Sequence, residues 1–173
     1  TGEYMDDFIP AGSGGLALTV YILFHGDYVY VGDGGSSAVR RYDAVTGTYM
    51  DDFIPPGDQG MTFGDPQDIE YGPDGNFYVA AQNQGRVLRY DGDSGAYMDD
   101  FTSPGPSGMA FGDDGMMYVG DLVENAVWRF DIATGAFVDV FVPSGSGGLE
   151  FPVGIVFGPD GDLYVASATQ SGT

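Results

Sequence analysis

An all-β fold of repeated units, each made of four short antiparallel strands, is what this sequence predicts, and three recurring words predict it. TGEYMDDFIP (1–10) returns as TGTYMDDFIP (46–55), as SGAYMDDFTS (94–103) and, more loosely, as TGAFVDVFVP (134–143). YVYVGD (28–33) keeps step with FYVAAQ (77–82), MYVGDL (117–122) and LYVASA (163–168). The third word is AVRRYD (38–43), RVLRYD (86–91) and AVWRFD (126–131). The Tyr-Val cores at Tyr30, Tyr78, Tyr118 and Tyr164 lie 48, 40 and 46 residues apart. A period of ~40–50 residues built only from strand-length words is that of β-propeller blades.

Each element has its own justification, clearest in the second unit. PQDIEYGP (66–73) is the inner strand, and Asp74-Gly75 between two apolar runs is a tight hairpin turn. NFYVAA (76–81) is the second strand, QNQG (82–85) a loop and RVLRYD (86–91) the third strand. DGDSG (91–95) turns the chain, with Gly supplying positive φ, into the outer strand YMDDFT (97–102). Units one, two and three span about 16–54, 66–102 and 106–142. Unit four has an inner strand (152–159) and a second strand (162–167), and residues 4–9 supply its outer strand. The expectation is therefore one propeller-type domain over 1–173, with a split blade formed by 152–173 and 1–9 and lacking its third strand. An open strand edge invites pairing. A second copy closing the ring, or a longer natural chain, is expected to cover it. The opening residue is Thr and no leader motif precedes the repeats, as in a processed or truncated polypeptide.

Composition restricts the partners. The chain has 173 residues, 30 of them Gly, and 14% aromatics, which suits an all-β domain with many tight turns. Its 26 acidic residues face five Arg and no Lys, a net charge of −21. Such a surface repels phosphates and anionic membrane, so neither nucleic acid nor membrane insertion is expected. The most apolar run, LALTVYILF (16–24), is about half the ~18 residues a spanning helix needs. There is no Cys, so no disulfide framework. Acidity and the lack of Cys fit a bacterial protein outside the cytoplasm, extracellular or periplasmic.

All five Arg fall in third strands. Arg41, Arg89 and Arg129 occupy equivalent places, and each is followed ten residues on by Asp51, Asp99 or Asp139 in the outer strand. Each hairpin sets Arg opposite Asp, a structural pair repeated in every complete blade. The Asp-Gly turns at 74–75, 114–115 and 160–161 recur once per unit and read as turn chemistry. Asp91-Gly-Asp93-Ser-Gly95 lacks the spaced carboxylates of a calcium loop and offers at most weak surface Ca²⁺ binding; no other cofactor and no metal is expected. His25 is the single His and falls at a first hairpin turn.

The loops after the second strands differ from unit to unit, unlike the strands. They carry Asp33, Gln82, Asn83, Asp121, Glu124 and Asn125, with Thr169-Gln170-Ser171 in the last unit, and the fold gathers them at one end. Together with Asp68 on the inner strand of unit two, these are the candidate ligand-binding residues. Asp68 and Glu70 have only Gly108 and Met109, or Gly154 and Ile155, as counterparts in units three and four.

The run PVGIVFGPDGDLYVA (152–166) resembles the NHL-type propeller repeat, whose words run Pro-x-Gly-Ile-x-x-x-Pro-x-Gly-x-Leu-Tyr-Val-Ala. With its VLRYD and SG-x-Y words, the fuller unit is similar to the repeats of virginiamycin B lyase-like and other NHL-like bacterial propellers. The resemblance covers nearly the whole chain and implies the architecture. It implies two functions. One is a non-catalytic module binding a small molecule or protein partner. The alternative is a metal-dependent lyase or lactonase of the virginiamycin B lyase or gluconolactonase type. A lyase of that type needs a His beside a Glu and a metal; a lactonase needs Glu, Asn and Asp converging from several blades. No Ser-His-Asp set, HExxH or phosphate loop occurs, so the binding module is the expected reading.

Overall fold

In a computed structural model, residues 2–3 and 5–168 are described. Among the described residues, fourteen strands form four separate antiparallel sheets. Blade one is β1 (Thr19–His25), β2 (Tyr28–Asp33), β3 (Ala38–Asp43) and β4 (Tyr49–Ile54). Blade two is β5 (Asp68–Tyr71), β6 (Phe77–Ala81), β7 (Arg86–Tyr90) and β8 (Tyr97–Thr102). Blade three is β9 (Pro106–Phe111), β10 (Met116–Asp121), β11 (Ala126–Asp131) and β12 (Phe137–Val142). The fourth sheet holds β13 (Pro152–Phe157) and β14 (Leu163–Ser167). Among the described residues no helix is long and apolar enough to cross a membrane.

The second strands β2, β6 and β10 are buried along almost their whole length, because each blade is covered on both faces. The core therefore lies between blades. Tyr30, Phe53 and Ile54 of blade one interlock with Ile69, Phe77 and Tyr90 of blade two. Tyr78 and Phe101 of blade two meet Met109, Met117 and Phe130 of blade three in the same way. The described sheets form an open arc. Its first free face exposes Ile22 and Phe24 on β1, and its last exposes Val153, Val156 and Tyr164.

A Tyr–Arg–Asp row crosses each complete blade. Tyr30 stands opposite Arg41 and Arg41 opposite Asp51. Tyr78, Arg89 and Asp99 repeat the row, as do Tyr118, Arg129 and Asp139. Each guanidinium donates through Nε and Nη2 to both carboxylate oxygens, at 2.9 and 2.6 Å, 2.8 and 2.5 Å, and 3.0 and 2.7 Å. Each also lies 5.2 Å from the ring centre of Phe53, Phe101 or Phe141.

The amino-terminal word does not extend the fourth sheet. Tyr4 lies outside the described residues, and residues 5–9 form no strand. Ile9 packs with Val29, Val31 and Tyr42 of blade one. The Phe8 carbonyl lies against Gly47, where an added Cβ would overlap it, as the Phe53 carbonyl lies against Gly95 one blade later. The word thus occupies, relative to blade one, the place an outer strand holds relative to the blade that follows it.

Candidate functional site at the loop end of the inner strands

The ends of the second strands and the starts of the inner strands lie at the same end of the arc, with the loops between them. Three buried carboxylates organise that end. Asp33 closes β2: Oδ1 accepts the backbone N–H groups of Ala17, Leu18 and Gly35 at 3.3, 2.8 and 3.2 Å. Its Oδ2 accepts Ser36 Oγ at 2.6 Å and Arg40 Nε at 3.0 Å. Burial alone would raise its pKa, but the bonds from Ser36, Leu18 and Arg40 hold it below the usual carboxylate range. Asp121 closes β10 and accepts the Ser103 hydroxyl at 2.9 Å and the N–H groups of Gly105, Val123 and Glu124 at 3.1, 2.9 and 2.9 Å. In blade two the corresponding strand ends in Ala81, and Asp65 from the preceding loop takes the post, accepting Thr62 N–H at 3.1 Å and Asn83 N–H at 3.3 Å.

These carboxylates therefore hold loops in place, and their oxygens face protein donors. Asn83 and Asn125 are similarly engaged: Asn83 Nδ2 donates to the Phe63 carbonyl at 3.1 Å, and Asn125 Oδ1 accepts the Phe151 N–H from the next blade at 2.9 Å. Asn125 and Ser37 take φ values of 53° and 58° just before their third strands, where Gly85 takes 62° in blade two. Glu124 is exposed and Gln82 half-buried beside these loops. Thr169, Gln170 and Ser171 lie outside the described residues.

The inner strands depart from the repeat. One position carries Tyr21 opposite Gly32, Asp68 opposite Ala80, Gly154 opposite Ala166, and Gly108 at the matching place in β9. At Gly108 the backbones touch, since an added Cβ would lie 2.7 Å from the Gly154 Cα. In blade two the Asp68 carboxylate bridges instead: Oδ2 accepts Met109 N–H at 2.6 Å and Oδ1 the Ile69 N–H at 2.8 Å. In blade one Tyr21 crosses to blade two, donating its hydroxyl to Glu70 Oε1 at 3.4 Å. Asp68 is 3% exposed and Tyr21 36%. Burial, and then the charge of Glu70, raises the Asp68 pKa well above normal; burial raises that of Glu70 as well. The Tyr21 hydroxyl is raised too, by burial and then by the two carboxylates. Two desolvated acids and a phenol at the inner strands can accept hydrogen bonds or a cation from a ligand.

Asp68 and Glu70 supply two carboxylates and no third ligand joins them among the described residues. Both Asp68 oxygens accept backbone N–H groups, and a divalent ion needs several converging oxygens. No group of three or more His, Asp or Glu gathers among the described residues. His25 lies at the opposite end of the inner strands, stacked on Tyr71 with ring centres 3.7 Å apart.

Tyr21, Asp65 and Arg40 are absent from the sequence-derived candidates. Asp65 was signalled by Ala81 standing where the second strands of blades one and three carry Asp; Tyr21 is aligned with Asp68 only by its register opposite Gly32.

The chain matches no protein-family profile and no curated protein. Solved structures do match. The selenomethionine-substituted virginiamycin B lyase from Staphylococcus aureus is 21% identical, with a TM-score of 0.66 over 84% of this chain and 47% of that one. A streptogramin B lyase structure is 15% identical, with a TM-score of 0.73 over 95% and 52%. The hydrazine synthase of Kuenenia stuttgartiensis is 18% identical, with a TM-score of 0.72 over 99% and 46%. The fold is a β-propeller fold. The chain spans about half the length of these structures, and at such identities the likeness is one of architecture.

Proposed function

We propose that the chain is a non-catalytic β-propeller module, bacterial and extracytoplasmic, that binds a small molecule or protein partner at its loop end. The observation that carries this is the division among carboxylates. Asp33, Asp65 and Asp121 serve the scaffold, whereas Glu70 with Tyr21 breaks the repeat on the inner strands and bonds across two blades. The favoured ligand chemistry is a hydrogen-bond donor or cation, matched to two acids on a surface of net charge −21. Ligand-induced thermal stabilisation, screened over amines, sugars and peptides, tests this. A hit should lose its effect in a Tyr21→Phe, Glu70→Gln double variant; a shift indifferent to that variant places binding elsewhere and rejects the assignment.

A propeller lyase or lactonase is the second reading, favoured by the fold shared with the virginiamycin B and streptogramin B lyases and by the raised acids Asp68 and Glu70. Turnover of lactones and cyclic depsipeptides, with and without Mg²⁺ or Ca²⁺, separates the two. Metal-dependent turnover abolished by Glu70→Gln would replace the binding module with the enzyme. The exposed apolar ends of the arc, Ile22 and Phe24 on one side and Val153 and Val156 on the other, support closure of the ring by a second copy. Light scattering at low and high salt measures it; a monomer under both conditions would exclude closure by a second copy.

A further inference from the structure

The fourth sheet ends on the outer edge of β14, and the groups around that edge are those that receive a third strand in blades two and three. Three observations agree. First, Tyr164 donates to Asp160 at 2.8 Å, as Tyr78 donates to Asp74 and Tyr118 to Asp114 at 2.9 Å. In blades two and three an arginine of the third strand stands beside this couple, Arg89 at 3.8 Å from Asp74 and Arg129 at 3.9 Å from Asp114. Among the described residues none stands beside Asp160. Second, the Phe of each outer strand is sealed by the third strand and turn of the following blade. Phe101 is 1% exposed under Phe130 and Gly135, but Phe141 is 43% exposed. It lines a cavity of about 870 Å³ with Tyr118, Phe157 and Tyr164. Third, the turn Ser146–Gly148 matches the turn Asp58–Gly60 in backbone shape, with φ of 59° at Gly147 and 50° at Gln59. In blade two the Gln59 carbonyl accepts Arg86 Nη2 at 2.8 Å. In the fourth sheet the equivalent turn borders a second cavity, of about 260 Å³, alongside Val165 and Ser167.

We infer that the β14 edge is a strand-docking site for a hairpin of the third- and outer-strand words, an apolar–Arg–aromatic–Asp strand followed by an Asp-x-x-Ser/Thr-Gly turn. Blade two sets the pattern rather than blade one, because Ser167 stands where blade one has Asp33. Ser167 bonds Glu150, as donor at 2.6 Å and acceptor at 3.0 Å, and supplies no charge for an Arg40-like residue. The incoming strand would complete the backbone ladder of β14, place one guanidinium on Asp160 and another on the Gly147 carbonyl, and cover Phe141 with its aromatic residue and turn.

The test adds a fluorescently labelled synthetic peptide of residues 85–102 (GRVLRYDGDSGAYMDDFT) to the intact protein and follows anisotropy, with hydrogen exchange of residues 163–167 as a second readout. Saturable one-to-one binding with slowed exchange in 163–167 is expected. Replacing both peptide arginines by alanine, or Asp160→Ala in the protein, should weaken binding by roughly fivefold to tenfold. Absence of saturable binding would overturn the proposal. So would equal affinity of the arginine-free peptide, which marks an unselective edge. Peptide-independent protection of 163–167 that rises with protein concentration would assign the edge to a second copy instead.

Discussion

Asp33 at the end of β2 and Asp68 at the start of β5 are both buried aspartates at the same end of the molecule, yet their surroundings move them in opposite directions. Asp33 accepts five hydrogen bonds, one from a guanidinium, and is held ionised. Asp68 accepts two backbone N–H groups, meets no cation, and is pushed toward its neutral form by burial and by Glu70. A buried carboxylate that accepts loop N–H groups recurs in every complete blade, even where Asp65 must replace the strand-end residue. The Asp68–Glu70–Tyr21 group occurs once. Burial with full compensation marks the scaffold, and burial with partial compensation is what the proposed ligand site rests on.

The most disruptive way to break this comparison is Asp33→Ala. It orphans three backbone donors and removes a partner of Arg40, whose side chain is 7% exposed, leaving Asp52 at 2.8 Å as its remaining carboxylate. A loss of about 3–5 kcal/mol is expected in denaturant unfolding. Asp68→Ala should cost less, about 1–3 kcal/mol, because it orphans the N–H groups of Met109 and Ile69 but strands no buried guanidinium. Asp68→Asn keeps an acceptor there and should stay within about 1 kcal/mol of the parent.

A pH series sharpens the contrast. Asp68 and Glu70 have folded pKa values above their unfolded ones, so between about pH 4 and those raised values the folded state binds more protons. Their contribution to stability is present at the acid side of that window and is lost as pH rises through it. Asp33 has the opposite sign: its contribution is present above about pH 4 and lost as pH falls through its lowered value. An Asp68→Asn, Glu70→Gln double variant should therefore lose less stability than the parent as pH rises above about 4, read as unfolding midpoints. An unchanged slope would mean that both acids are solvated. The smallest effect belongs to the exposed rows. Asp99→Ala removes a bidentate pair whose carboxylate side chain is 51% exposed and should cost only about 0.2–1 kcal/mol.

The scaffold was far more legible in the sequence than the site. The words repeat because each blade solves the same packing problem, so the strands and the Arg41–Asp51, Arg89–Asp99 and Arg129–Asp139 rows could be read from spacing alone. Asp33 and Asp121 looked like free loop carboxylates because sequence does not show that a strand-end Asp turns inward onto backbone donors. Residues 4–9 looked like the outer strand of the fourth sheet because the word matches. Phe8 and Ile9 pack on blade one as an outer strand packs on the blade that follows it, while residues 5–9 form no strand. Tyr21 escaped notice because aromatic residues abound in the core, and only its register opposite Gly32 aligns it with Asp68.

The measurement that bears most directly on this division is an NMR titration of the carboxyl carbons of the folded protein. Asp33 should titrate below the usual carboxylate range and Asp68 and Glu70 above it, with the latter two perturbing one another. If Asp68 and Glu70 titrate at ordinary values while Asp33 does too, burial does not separate these carboxylates, and the distinction between scaffold and binding group fails.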